Sequence, residues 1–179
     1  MDSPFEGRLI KLRAIEADDE ALYHQWVNDP EVTEYLTLRY PMSHGGQRKW
    51  MEGVTTPDYA NAVFAIEALD DGALIGTVEL RTRGPENRDA NLGIMIGDKT
   101  RWDRGYGTDA MRTICRYGFN EMNLHRIELD VFDGNDRAVK VYERIGFKAA
   151  GRRRDAVFQR GRYHDELMMD LLEGEMRDE

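Results

Sequence analysis

Arg101-Trp102-Asp103-Arg104-Gly105-Tyr106-Gly107-Thr108-Asp109 is the stretch on which the fold turns. Just before it, Ala90-Asn91-Leu92-Gly93-Ile94-Met95-Ile96-Gly97 is apolar and of strand length. Just after it, Met111, Ile114, Cys115, Gly118, Phe119 and Met122 recur three and four apart, the period of a helix with one buried face. A glycine-bearing turn therefore joins a strand to an amphipathic helix. Gly105 and Gly107 let the backbone approach a ligand closely or take a positive φ. The first amides of the helix have no partners within it, and its dipole adds positive charge there. A phosphate suits that place, with Arg101 and Arg104 supplying full charges. The loop alone reads equally well as a tight connection. No Gly-Lys-Ser/Thr follows it, and it lacks the third glycine of a dinucleotide fingerprint.

Working outward, the pattern alternates helices and strands. Arg8 to Arg13 reads as a first strand. Asp18 and Asp19 open a helix with Leu22 and Trp26 on its apolar face, ending near Asn28-Asp29-Pro30. Val32 to Leu36 continues as a helical turn. Ser43 caps a second helix that turns Trp50 and Met51 inward. Two strands, 62–67 and 74–80, flank the hairpin turn Asp70-Asp71-Gly72. Downstream, Arg126 to Phe132 is a strand, and Gly134-Asn135-Asp136 caps a helix closed by Gly146. Phe147 to Ala150 reads as a short strand, Arg152 to Arg154 as a solvated basic edge, Gly161-Arg162 as a turn, and His164 to Leu171 as the last strand. Such an order predicts a mixed α/β domain with both parallel and antiparallel strand pairs.

Bulk properties narrow the function. A chain of 179 residues fits one domain, and 41% hydrophobic content fits a folded core. A formal net charge of -9 argues against a broad nucleic-acid surface. The one cysteine, Cys115, suits a reducing cytoplasm and reads as a packed small hydrophobe. No apolar run has the length of a signal peptide or a membrane span. The four histidines show no metal-ligand spacing, so no metal is expected.

The second informative block is Asn135-Asp136-Arg137-Ala138-Val139-Lys140-Val141-Tyr142-Glu143-Arg144-Ile145-Gly146-Phe147. Helical spacing puts Tyr142 on the face of Ala138, Val141 and Ile145. In isolation Tyr142 reads as a buried aromatic and Asn135 as a cap. Together with the strand at 90–97 and the Arg-Gly-Tyr-Gly-Thr loop, however, this block resembles the GNAT superfamily of acyl-CoA-dependent N-acyltransferases. Gly161-Arg162-Tyr163-His164-Asp165 resembles the closing hairpin of the branch holding the ribosomal-protein N-terminal alanine acetyltransferases and the spermidine acetyltransferases. The likeness runs from about Arg8 to Leu171 within a single domain spanning 1–179.

The resemblance implies a GNAT fold: a mixed twisted sheet of about six or seven strands, flanked by helices, with a splayed central strand pair. It implies acetyl-CoA as cosubstrate and direct transfer of the acetyl group to a primary amine, foremost a protein or peptide N-terminus. A polyamine or antibiotic amine is the alternative within the enzyme class, and a non-catalytic acyl-CoA sensor the alternative outside it. Ile94, Met95 and Ile96 would bond the pantetheine arm through their backbone. The amides of Arg104, Gly105, Tyr106, Gly107 and Thr108, with Arg101 nearby, would hold the pyrophosphate. Asn135 would reach the pantetheine, and Tyr142 would protonate the departing thiolate. The sequence departs from the family at Trp102, where Gln or Arg is common, and at Asn91, where many relatives carry Glu. The general base stays open, with Glu79 a candidate through water. The first two helices and the segment 154–161 are expected to wall the acceptor pocket. Relatives of this branch imply a homodimer or a larger homo-oligomer.

Overall fold

The computed structural model describes residues 3–177. Seven strands build one sheet: β1 (Ile10–Arg13), β2 (Asn61–Ala68), β3 (Leu74–Thr82), β4 (Asp89–Ile96), β5 (Arg126–Phe132), β6 (Lys148–Gln159) and β7 (Arg162–Leu172). Their order across the sheet is β1-β2-β3-β4-β5-β7-β6. Four α-helices flank it: α1 (Glu20–Val27), α2 (His44–Val54), α3 (Tyr106–Asn120) and α4 (Asp136–Ile145). Among the described residues, no helix is long and apolar enough to cross a membrane.

Period-two alternation sorts the core onto two sides of the sheet. Phe64 and Ile66 of β2 face α3, joining Ile10, Leu80, Met111, Ile114 and Ile127. Val63 and Ala65 face α1 and α2, joining Tyr23, Trp26, Met51 and Met95. Gly118 lets α3 lie close on the sheet, since a Cβ there would meet Leu80 at 2.9 Å and Ile127 at 3.1 Å. Ser43 does cap α2, accepting the Gly46 N–H at 3.0 Å. Leu22 departs from expectation: it is exposed, and Tyr23 shares the buried face of α1 with Trp26.

The end of the chain is also more regular than its sequence suggests. What reads as a four-residue strand and a basic edge is one strand of 12 residues, β6, containing Arg152 to Arg154. It turns at Arg160-Gly161, both with positive φ, into β7. Cross-strand acids explain how the arginines are accommodated: Arg152 meets Asp165 at 2.6 Å, and Arg153 meets Glu166 at 3.2 Å.

One irregularity positions the site. All neighbouring strands are antiparallel except β4 and β5, which pair in parallel only through Asp89–Arg126, Ala90–Ile127 and Asn91–Glu128. Beyond Asn91 the two strands part. Each keeps its outer ladder, β4 with β3 and β5 with β7, so the parting forfeits only the inner hydrogen bonds.

Candidate active site

The parted strands form the walls of a cleft of about 930 Å³. Leu92 to Ile96 line one side and Leu129 to Phe132 the other, with α3 and α4 presenting their N-termini at one end. Backbone polarity follows from strand geometry: a residue's N–H and C=O point to one edge, and successive residues alternate. Gly97 donates to Ile75 of β3, so Met95 also directs its backbone to β3. Ile94 and Ile96 therefore present theirs to the cleft. Met95, expected to bond the pantetheine through its backbone, offers only its side chain. The Ile96 carbonyl already accepts from the Trp102 indole at 2.8 Å, which gives Trp102 its place in the wall.

The glycine loop opens α3 as its spacing predicts. Gly105 is the N-cap, with φ 88°, and no side chain caps the helix. The amides of Tyr106, Gly107 and Thr108 are thus left without helical partners. Gly105, Gly107 and Thr108 line the cleft. Tyr106 contributes backbone alone, because its ring is buried and its hydroxyl donates to Asp70 at 3.0 Å. Arg104 is exposed and, among the described residues, pairs with no carboxylate; its guanidinium stands 6.0 Å over the Tyr106 ring.

Arg101 borders the cleft as expected, but its guanidinium is turned to other partners. It is only 9% exposed, bonded to Asp70 at 2.8 Å, to Asp71 and to the Tyr106 hydroxyl at 2.8 Å. Asp70 and Asp71 read in sequence only as turn formers; the fold brings their turn against the loop and engages the guanidinium. The Asp70 carboxyl is held below its usual range chiefly by Arg101.

Further lining of the cleft comes from α4. Asn135 caps it, accepting the Ala138 N–H at 3.2 Å, and lines the cleft. Two residues on, Arg137 pairs with Asp103 at 2.9 Å and lies 5.9 Å over the Trp102 ring, bridging α4 to the glycine loop. Tyr142 also lines the cleft, its ring 5.9 Å from that of Phe147. Its hydroxyl has no partner among the described residues. Burial pushes that hydroxyl up to about 12, so it keeps its proton at neutral pH.

Parted strands, an uncapped helix N-terminus and an unpartnered tyrosine form a place for a long phosphate-bearing thioester. The family whose sequence pattern matches residues 8–148 is the acetyltransferase (GNAT) domain. The chain belongs to the GNAT acetyltransferases. It is 30% identical to the uncharacterized N-acetyltransferase p20 of Bacillus licheniformis over 98% of each chain. It is 34% identical to Bacillus subtilis YdaF, provisionally named a ribosomal N-acetyltransferase, over 62% of this chain and 60% of that one. A crystal structure of spermidine N-acetyltransferase from Vibrio cholerae, in complex with CoA and spermine, matches with TM-score 0.85. The two are 28% identical over 93% of this chain and 97% of that one. As a GNAT acetyltransferase the protein takes acetyl-CoA as cosubstrate, and the uncapped amides that open α3 suit its phosphates.

Neither α1 nor α2, expected to wall an acceptor pocket, lines the cleft, whereas the segment between them does. Glu31, Glu34, Tyr35 and Leu36, from the segment joining those helices, line it. The tip of the β6–β7 hairpin reaches the same segment: Arg160 pairs with Glu34 at 3.1 Å, and Gln159 donates to the Glu34 carbonyl at 3.4 Å. Glu79 of β3 lies across Gly93 of β4, its Oε1 only 2.9 Å from where a Cβ would stand. It also accepts from Arg81 at 2.9 Å. Two further groups stand apart from the cleft. Cys115 is fully buried and its thiol is pushed up by desolvation, which suits packing and not nucleophilic work. Asp109 uses its carboxylate on the N–H groups of Arg8, Leu9 and Ile10, tying β1 to α3. Nothing in the local sequence signals that tie.

Proposed function

We propose that the protein acetylates the N-terminal amine of a peptide or protein, with Tyr142 as general acid and Glu79 as the base acting through water. The observation that supports this reading most is the free inner edge of β5. Leu129 to Phe132 have a ladder only with β7, so unpaired backbone groups face the acceptor side of the cleft. An extended chain is the natural partner of an unpaired strand edge. Acetyl-CoA supplies the activated acyl group. The protein must remove a proton from the amine, hold negative charge on the acyl oxygen and protonate the leaving sulfur. In this assignment, β4 backbone facing the cleft holds the charge. Tyr142, kept protonated by burial, donates to sulfur, and Glu79 accepts the amine proton. The pyrophosphate rests on the amides of Arg104 to Thr108, and Asn135 holds the pantetheine with Ile94 and Ile96.

A polyamine acceptor is the second reading, favoured by the spermidine acetyltransferases among the relatives. Incubation with acetyl-CoA and a panel of peptides, amino acids and polyamines, followed by free CoA thiol, separates the two. Thiol release that depends on a peptide's free N-terminus is expected; release with polyamines alone overturns the peptide reading.

A further inference from the structure

We infer that Lys99, Arg153 and Arg160 set the acceptor class, by neutralising the carboxylates that would otherwise hold a polycation in the acceptor half. This rests on the peptide reading above and sharpens it. Glu31, Glu34 and Asp130 line the cleft, and each is occupied. Lys99 Nζ stands 2.8 Å from Glu31 and 2.9 Å from Asp29. Arg160 stands 3.1 Å from Glu34. Arg153 stands 2.8 Å from Asp130 and 3.2 Å from Glu166. The base candidate Glu79 likewise holds Arg81.

A polyamine brings further ammonium groups besides the one that reacts, and each needs a carboxylate of its own. A carboxylate in contact with a guanidinium presents a dipole, not a net charge, so the attraction and the repulsion felt by an incoming ammonium nearly cancel. The chain's net charge of -9 does not reverse this. Exposed charges farther than about 8 Å are screened at physiological salt, so the paired groups at the rim decide. A peptide N-terminus, with one amine and a neutral backbone, has no such requirement. The three basic side chains come from the turn after β4, from β6 and from the β6–β7 turn, and they are 43%, 48% and 60% exposed. Removing one therefore bares a carboxylate without opening the core.

The test compares the wild type, Arg160→Gln, Arg153→Gln, their double variant and Arg160→Lys. Turnover is measured with spermidine and with an uncharged N-terminal peptide, and spermidine binding to the CoA-loaded protein by calorimetry. The ratio of spermidine to peptide kcat/KM should rise about fivefold per bared carboxylate, the effect of an exposed ion pair. The rise should come through the spermidine KM, fade at high salt and be absent in Arg160→Lys. An unchanged ratio and unchanged spermidine affinity in the double variant overturn the inference, as does a wild type that already prefers spermidine to peptide. Failure of all peptides with the wild type strikes the peptide reading instead. The calorimetric arm still decides the masking, because spermidine must bind more tightly to the double variant.

Discussion

At the scale of single residues, the tyrosine hydroxyl in the cleft makes the sharpest forecast. Tyr142→Phe keeps the ring against Phe147 and removes only the donor. kcat should fall about 10²–10⁴-fold with CoA affinity intact, as for loss of a general acid. A full-rate Tyr142→Phe enzyme removes Tyr142 from the chemistry. The pH profile adds a second test. Burial raises this hydroxyl to about 12, so the protonated, donating form persists below that pH. kcat/KM with a peptide should rise around pH 8 as the α-amine deprotonates, and show no falling limb up to about pH 10. A rise centred near 10 would instead mark a lysine-like acceptor amine. Tyr142 and Asn135 were legible in sequence because helical period and capping chemistry are local properties. Arg101 was not, since its partners Asp70 and Asp71 lie some thirty residues away. Only the packed hairpin shows that its charge is already engaged.

At the scale of elements, two close approaches control geometry. β3 and β4 run side by side with Gly93 opposite Glu79, and the missing side chain leaves room for the carboxylate. In Gly93→Ala the new methyl would sit 2.9 Å from Glu79 Oε1 and 3.2 Å from its Cγ, so the carboxylate must shift. Acetyl transfer should fall in Gly93→Ala and by about 10²-fold in Glu79→Gln, both with near-native melting temperatures. Full activity in Glu79→Gln would assign the base elsewhere. The second approach is the tie between β1 and α3. Asp109→Ala strips an acceptor from the N–H groups of Arg8, Leu9 and Ile10, of which only that of Ile10 is part-buried, at about 1–3 kcal/mol for that one left unsatisfied. A melting temperature lowered by several degrees is expected, with Asp109→Asn in between; an unchanged one would mean water replaces the carboxylate. Strand and helix positions came through in sequence wherever the apolar period was strong, as in α3. They failed for β6, whose arginines mask its alternation until the acids of β7 lie opposite.

At the scale of the whole molecule, stability against acid rests on carboxylates that bind sequence-distant arginines. Asp89 is buried at the closed end of the cleft and is held low chiefly by Arg83, with help from Arg126, against the opposing effect of burial. Asp70 is held low by Arg101. A carboxyl with a lowered folded-state value favours the folded state above the unfolded value near 4, and loses that contribution as pH falls through the folded value. The melting temperature should be flat from about pH 5.5 to 8 and drop below about pH 4, with a shallower drop in Asp89→Asn. An identical slope in that variant would place the acid sensitivity elsewhere. By itself the sequence determined the alternation of elements, the glycine turn ahead of α3, the cap and tyrosine of α4, and through their combination the GNAT resemblance. All of these depend on neighbours within one or two turns of chain. Only the tertiary structure decided which backbone groups of β4 face the cleft, that Arg101 is already engaged, and that Glu31, Glu34 and Asp130 in the cleft are each matched by a base. Those are facts of strand register and of charge pairs between distant segments, and a Coulomb interaction depends on distance in space, not on separation along the chain.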